Sequence, residues 1–196
     1  MSAHTIEAAL EEAALTLQAF RDDPTCMEGI ARFAAAAQTT LKRGGLLMSC
    51  GNGGSMCDAM HFAEEWTGRF RSDRNPLPAL AFSDPSHITC IANDFGFDEV
   101  FARLVASYGG AKDLLIVLST SGASPNILNA LKEAKKRGIT TVALLGKGGG
   151  EALALADIPI VVPRASTSDR IQELHIKVLH IAIETVERAL FPRDYS

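Results

Sequence analysis

Leu46-Leu47-Met48-Ser49-Cys50, Gly51-Asn52-Gly53-Gly54-Ser55 and the run Met56–Trp66 decide how this chain folds. The first five residues read as an apolar strand. The glycine loop that follows lets backbone N–H groups approach a ligand with no Cβ in the way. The helix after it offers orphan N–H groups and partial positive charge at its start, which suits a phosphate. Ser55 stands where an N-cap is expected. The loop has neither the spacing of a dinucleotide fingerprint nor the Gly-Lys-Ser/Thr of a P-loop, so it reads either as an anion cradle or as a tight turn. His61 and Glu65 are four apart and share a helix face. They read either as a metal or proton-transfer pair or as solvated side chains.

Working outward, the pattern repeats. Strands are expected at Leu46–Cys50, Ala79–Ser83, Asp113–Ser119, Thr140–Leu145 and Ile158–Pro163. Those after residue 110 are continuous apolar runs, as strands buried on both faces require. Helices are expected between them at 55–69, 86–108 in two pieces, 125–137 and about 150–155, and a last one from Asp169 to Leu190. Strand–helix alternation predicts an α/β fold, a parallel sheet with helices on both sides. Ahead of the first strand, residues 5–20 carry Ile6, Leu10, Ala13, Leu17 and Phe20 at helical spacing, and 25–43 repeat the pattern. Asp22-Asp23-Pro24 separates the two, giving a helical hairpin that Gly44-Gly45 ends. The last helix is apolar on much of its circumference, as expected of a buried helix, here one between subunits.

Leu114–Leu118 leads into Ser119-Thr120-Ser121-Gly122-Ala123-Ser124-Pro125, an echo of the first strand–loop–helix unit. Ser124 reads as N-cap and Pro125 as the first helical residue. Hydroxyls without a cation suit phosphate recognition, and in parallel sheets ligands bind beyond the carboxyl ends of the strands, where both loops lie. On the last helix, Gln172 and His180 lie about two turns apart. Asp169 with Gln172 also reads as a capping box, and His175 and His180 as core histidines. Asn93-Asp94 is a polar spot or a plain turn; Lys147-Gly148-Gly149-Gly150 reads as a loop.

The 196 residues, 47% of them hydrophobic, suffice for one domain with a sizeable core. Net charge is −4, with no basic run that would suit nucleic acid. Four cysteines without a CxxC fit reduced, intracellular usage. Neither a leader at the N-terminus nor a membrane-length apolar run is visible, so no membrane partner and a cytoplasmic location are expected.

Together these residues resemble the sugar isomerase (SIS) domain family over essentially the whole chain. The likeness rests on the Gly-Asn-Gly-Gly-Ser loop, His61-Phe62-Ala63-Glu64-Glu65, Thr67-Gly68-Arg69 and Asn93-Asp94-Phe95-Gly96-Phe97. It continues through Ser119-Thr120-Ser121-Gly122, Asp169-Arg170-Ile171-Gln172-Glu173 and His175–His180. The resemblance implies a single SIS domain over 1–196: a hairpin at 1–44, a five-stranded parallel core at 45–168 and a C-terminal helix at 169–196. It implies a homotetramer with active sites at subunit interfaces. The implied reaction turns sedoheptulose 7-phosphate into D-glycero-D-manno-heptose 7-phosphate, the first step of ADP-heptose synthesis. By the same resemblance Ser55, Ser119, Ser121 and Ser124 contact phosphate, and Asn52, Gly53 and Gly54 line the substrate site. Asn93, Asp94, Thr120, Asp169 and Gln172 face the sugar; His61, Glu65, Gln172 and His180 bind Zn2+. Glu65 is then the base and His180 the acid. Met56-Cys57, Ala123 and Pro125 depart from residues common in relatives. The rival readings are a non-catalytic relative of the DnaA-associating initiation regulator type and a phosphosugar-sensing regulatory domain.

Overall fold

The computed structural model describes residues 3–192. Among them five parallel strands form one sheet in the order β2-β1-β3-β4-β5. The strands are β1 Leu47–Gly51, β2 Ala79–Ala81, β3 Leu114–Ser119, β4 Thr140–Leu145 and β5 Ile158–Val161. Strand β3 is central and buried throughout. Its Leu114, Ile116 and Leu118 enter the core on one face, Leu115 and Val117 on the other, which is why an unbroken apolar run was needed. Its register with β1 pairs Leu47 with Leu114 and Gly51 with Leu118, so the two strands end together.

One face of the sheet is covered by α2 (Pro24–Lys42), α3 (Gly54–Thr67) and α8 (Ser168–Leu190). Phe33, Phe62, Trp66 and Leu179 pack there against Leu47, Ile116 and Leu144. The other face is covered by α4 (Pro85–Phe95), α5 (Val100–Tyr108), α6 (Pro125–Lys136) and the short α7 (Ala152–Leu155), with a 3-10 turn at Phe97–Glu99. The hairpin breaks where the sequence places the break. Asp23 caps α2 by accepting the Thr25 N–H at 2.8 Å, and Pro24 takes the first helical position.

Helix α1 (Ala3–Asp22) differs from expectation. Its C-terminal end buries Thr16 and Phe20, but Ile6 and Leu10 of the same apolar stripe are 62% and 68% exposed. Periodicity identifies a stripe that leaves water; it does not say whose surface covers it. A groove of about 690 Å³ lies between α1, α2 and α8, lined by Leu17, Phe20, Met27, Ile30, Leu174 and Ile181.

Two caps also differ. Helix α3 begins one residue before Ser55, and its N-cap is Gly53 at φ 56°, a conformation glycine adopts without strain. Ser55 is therefore inside the first turn and buried. Helix α8 is capped from Thr167, so Asp169 is its second residue and no Asp169–Gln172 capping box forms.

Candidate functional site

Strand β1 leads to β2 on one side of the sheet, and β3 leads to β4 on the other, so the chain reverses direction between β1 and β3. Ligands of open α/β sheets bind at such a switch point, beyond the strand carboxyl ends. A cavity of about 170 Å³ lies there, lined by Asn52 and Ser55 after β1, by Ser119 at the end of β3 and Thr120, Ser121 and Ser124 after it, and by Ser168 and Gln172 of α8. It brings the two loops together as their position at strand ends predicts. No lysine or arginine is among the described residues lining it.

Local bonds hold its donors in place. Ser119 Oγ accepts the Gly122 N–H at 3.0 Å, and Ser121 Oγ accepts that of Ala123 at 3.3 Å. The Thr120 and Ser168 hydroxyls share a bond of 3.1 Å. Asn52 and Asn126 exchange reciprocal amide bonds, both 2.9 Å, leaving each amide a further N–H and lone pair. Gln172 Nε2 donates to Ser55 Oγ at 3.4 Å, its amide lying directly over Gly54. The Lys147–Gly150 loop gains a role here. Gly122, at φ 62°, lies so close to it that a Cβ would collide with the Gly149 carbonyl oxygen, and Ala152 N donates to Gly122 O at 2.9 Å. This second loop therefore fixes the first.

Farther along α3 and α8 sits a cluster of titratable groups. His61 Nε2 is 3.1 Å from Glu65 Oε1, and the His61 and His180 rings meet edge-on with centroids 5.0 Å apart. One nitrogen or oxygen from each of His61, Glu65 and His180 falls within 4.8 Å of the others. His180 Nε2 is buried with no hydrogen-bond partner among the described residues, and the Phe70 ring leans on the imidazole at 5.7 Å. Burial, and then the neighbouring His61, push the His180 pKa below the usual histidine range. Two imidazoles, one of them with an orphaned ring nitrogen, and one carboxylate fit a small divalent cation such as zinc. Gln172, which the resemblance adds to these three, donates its Nε2 to Ser55 Oγ, and its Oε1 is the atom that would serve a metal.

The remaining residues singled out in the sequence lie elsewhere. Asn93 and Asp94 are exposed on α4, Asn93 Nδ2 donating to Asp94 Oδ1 at 2.8 Å, and do not line the cavity of their own chain. Asp169 is exposed beside it; the Thr167 hydroxyl and then the Arg170 N–H hold its carboxyl below the ordinary range. His175 is a core histidine, its Nε2 3.2 Å from Leu145 O at the end of β4.

Asn126 and Ser168 had no reading in the sequence, although each adjoins a residue already singled out at a helix start. Arg74 and Glu187 were also missed. They form a buried ion pair of 2.6 Å beneath the cluster, joining positions 113 apart that no spacing rule connects.

The SIS domain model matches residues 10–146. The phosphoheptose isomerase of Cytophaga hutchinsonii is 50% identical over 186 residues, 95% of this chain and 97% of that one. That of Vibrio cholerae is 51% identical over 188 residues, covering 94% and 97%. The structure of a phosphoheptose isomerase from Francisella tularensis superposes with a TM-score of 0.90 at 33% identity, over 96% of this chain and all of that one.

Proposed function

The chain belongs to the SIS-domain family, among its phosphoheptose isomerases, and on that premise we propose that it converts sedoheptulose 7-phosphate to D-glycero-D-manno-heptose 7-phosphate through an enediol. One observation carries the reading: a hydroxyl-lined cavity at the start of α3 and α8, and a titratable cluster farther along the same two helices. Ser55 and His61 lie about 9 Å apart along the α3 axis, room for a phosphate at one end of a long sugar and a carbonyl at the other.

Ser55, Ser119, Ser121 and Ser124 hold the phosphate through hydroxyls and nearby N–H groups, and Asn52, Gly53, Gly54, Thr120 and Gln172 complete that end. The reaction moves a proton from C1 to C2. Glu65 takes the C1 proton as His180 gives one to the C2 oxygen, producing the enediol. His180 then takes the C1 hydroxyl proton as Glu65 returns its own to C2, leaving an aldehyde. Glu65 is mostly shielded from water, with 15% of its side chain exposed, so solvent is kept from most of the exchanged proton's route. A zinc ion held by His61, Glu65 and His180, with Gln172 as the fourth ligand the resemblance implies, would polarise the carbonyl and steady the negative charge on its oxygen. Metal binding would tie up the Glu65 carboxylate, so the base must be released during turnover.

We infer further that the active unit is a homotetramer with sites at its interfaces. The exposed apolar stripe of α1 and its groove support an assembly. No residue of α4 is fully buried, which supports delivery of Asn93 and Asp94 to a neighbour's sugar site, with Asp169 at the rim. No described helix is long and apolar enough to cross a membrane, in keeping with a cytoplasmic enzyme that starts ADP-heptose synthesis for lipopolysaccharide or related glycans. The test is direct: incubate the protein with sedoheptulose 7-phosphate and follow the aldehyde-derived anomeric protons by NMR. Appearance of an aldoheptose phosphate supports the reading; unchanged ketose refutes it.

A further inference from the structure

We propose that Arg74 is a positioning residue that holds α3 and α8 at the spacing which brings His61, Glu65 and His180 together. The inference rests on the reading of that trio as the reacting end of the site.

The guanidinium is almost wholly enclosed, with 2% of the side chain exposed. Its Nη2 donates to the carbonyl of Glu65 at 2.7 Å, and Nη1 to the carbonyls of Trp66 at 2.8 Å and Gly68 at 3.2 Å. Glu65 and Trp66 lie in the last turn of α3, where carbonyls have no partner within the helix, and Gly68 is its C-cap. Its Nε donates to Glu187 Oε1 at 2.6 Å, and Glu187 is two turns beyond His180 on α8. One planar fork thus grips the backbone of the residue that carries the carboxylate and a side chain on the helix that carries the imidazole. The segment leading to Arg74 reinforces the join: Phe70 packs on the His180 ring, and Arg71 pairs with Glu184 at 2.7 Å. A lysine would keep the charge opposite Glu187, but a single ammonium cannot serve this set of carbonyls.

Two variants test this, Arg74→Lys and Arg74→Met/Glu187→Met. The second removes both buried charges, a replacement that proteins often tolerate. For each, Co2+ binding is titrated by visible absorption, kcat and KM are measured with sedoheptulose 7-phosphate, and folding is checked by circular dichroism. The expected result is a folded protein whose Co2+ dissociation constant rises about 10- to 100-fold. Its kcat falls by about 10-fold or more while KM changes little, because the phosphate end is untouched. A merely structural ion pair would shift thermal stability and leave Co2+ affinity and kcat at parent values; that result in either folded variant overturns the proposal. If the lysine variant does not fold, the double variant decides; if neither folds, Arg74 is an anchor of the fold and the proposal fails. A parent that binds no Co2+ refutes the metal reading of the trio, and the split between kcat and KM then decides alone. A parent that binds Co2+ but does not isomerise refutes the reaction, and the Co2+ titrations decide.

Discussion

The two ends of α3 carry the two halves of the proposed site and are made differently. At its start, position is set by main chain: a glycine cap, a loop pressed against a second loop at Gly122, and hydroxyls already bonded to neighbouring N–H groups. No cation is among its described lining residues, and its donors are numerous and neutral. In the later turns, position is set by three side chains from two helices, each able to gain or lose a proton. The difference teaches what each end tolerates. A cradle of many weak donors loses affinity in small steps, whereas a cluster in which each group has a separate task fails at the first deletion.

The largest expected effect falls on the cluster. Glu65→Gln and His180→Asn should each lower kcat by about 10² to 10⁴, the usual worth of a positioned proton-transfer group. Both should leave a folded assembly that still binds the sugar phosphate. Steady-state kinetics beside circular dichroism and gel filtration decide the matter, and parent rates in both variants would make the cluster structural and erase the contrast.

His175 lies between the two ends of α8 and should belong to neither. Burial pushes its pKa down from 6.5 to about 4. Above pH 6.5 the ring is neutral in both folded and unfolded chains. Between about pH 6.5 and 4 only the unfolded chain takes up the proton, so stability falls as the pH falls through that window, by up to about 3 kcal/mol. His175→Gln should remove this part of the acid sensitivity without altering kcat or KM at pH 7.5. Urea unfolding at pH 7 and pH 4.5 measures it, and identical slopes for parent and variant would contradict the assignment.

The smallest effect is expected at the cradle. Ser124 makes no side-chain cap bond and Ser121 is exposed, so alanine at either position costs the fold little. Each should raise KM with kcat nearly unchanged, by about 0.5–1.5 kcal/mol for a neutral hydrogen bond and more for one to phosphate. Unphosphorylated sedoheptulose should be a very poor substrate. A fall in kcat at constant KM would show that the two ends are not separable.

The sheet was legible because β3 and β4 needed apolar runs and the loops needed glycine and serine, local demands that leave local marks; β5, expected to be buried on both faces, is an edge strand that buries only Ile158 and Ile160. The caps were less so. Thr167, Ser168 and Asp169 are three competent caps in a row, and only backbone geometry selects the first. Ser55 reads as a cap until Gly53 is seen to turn the chain earlier. His61 with Glu65 could be read from helix spacing, but their meeting with His180 depends on how α3 lies against α8. Arg74 carried no signal, because its partners are backbone carbonyls and a glutamate 113 positions away. Asn93 and Asp94 were legible as polar yet not as placed, since the chain's own cavity does not include them.

The chain has a single tryptophan, and it sits at this join. Trp66 is fully buried, its ring 5.9 Å from the Arg74 guanidinium, and its Nε1 has no hydrogen-bond partner among the described residues. Indole emission reports the polarity and charge around the ring, and here one fluorophore supplies the whole tryptophan signal. The protein thus carries its own optical gauge beside the proposed reacting corner. Any loosening of α3 from the segment that follows it should be visible in unlabelled protein as a change in colour and intensity, before the rest of the fold gives way.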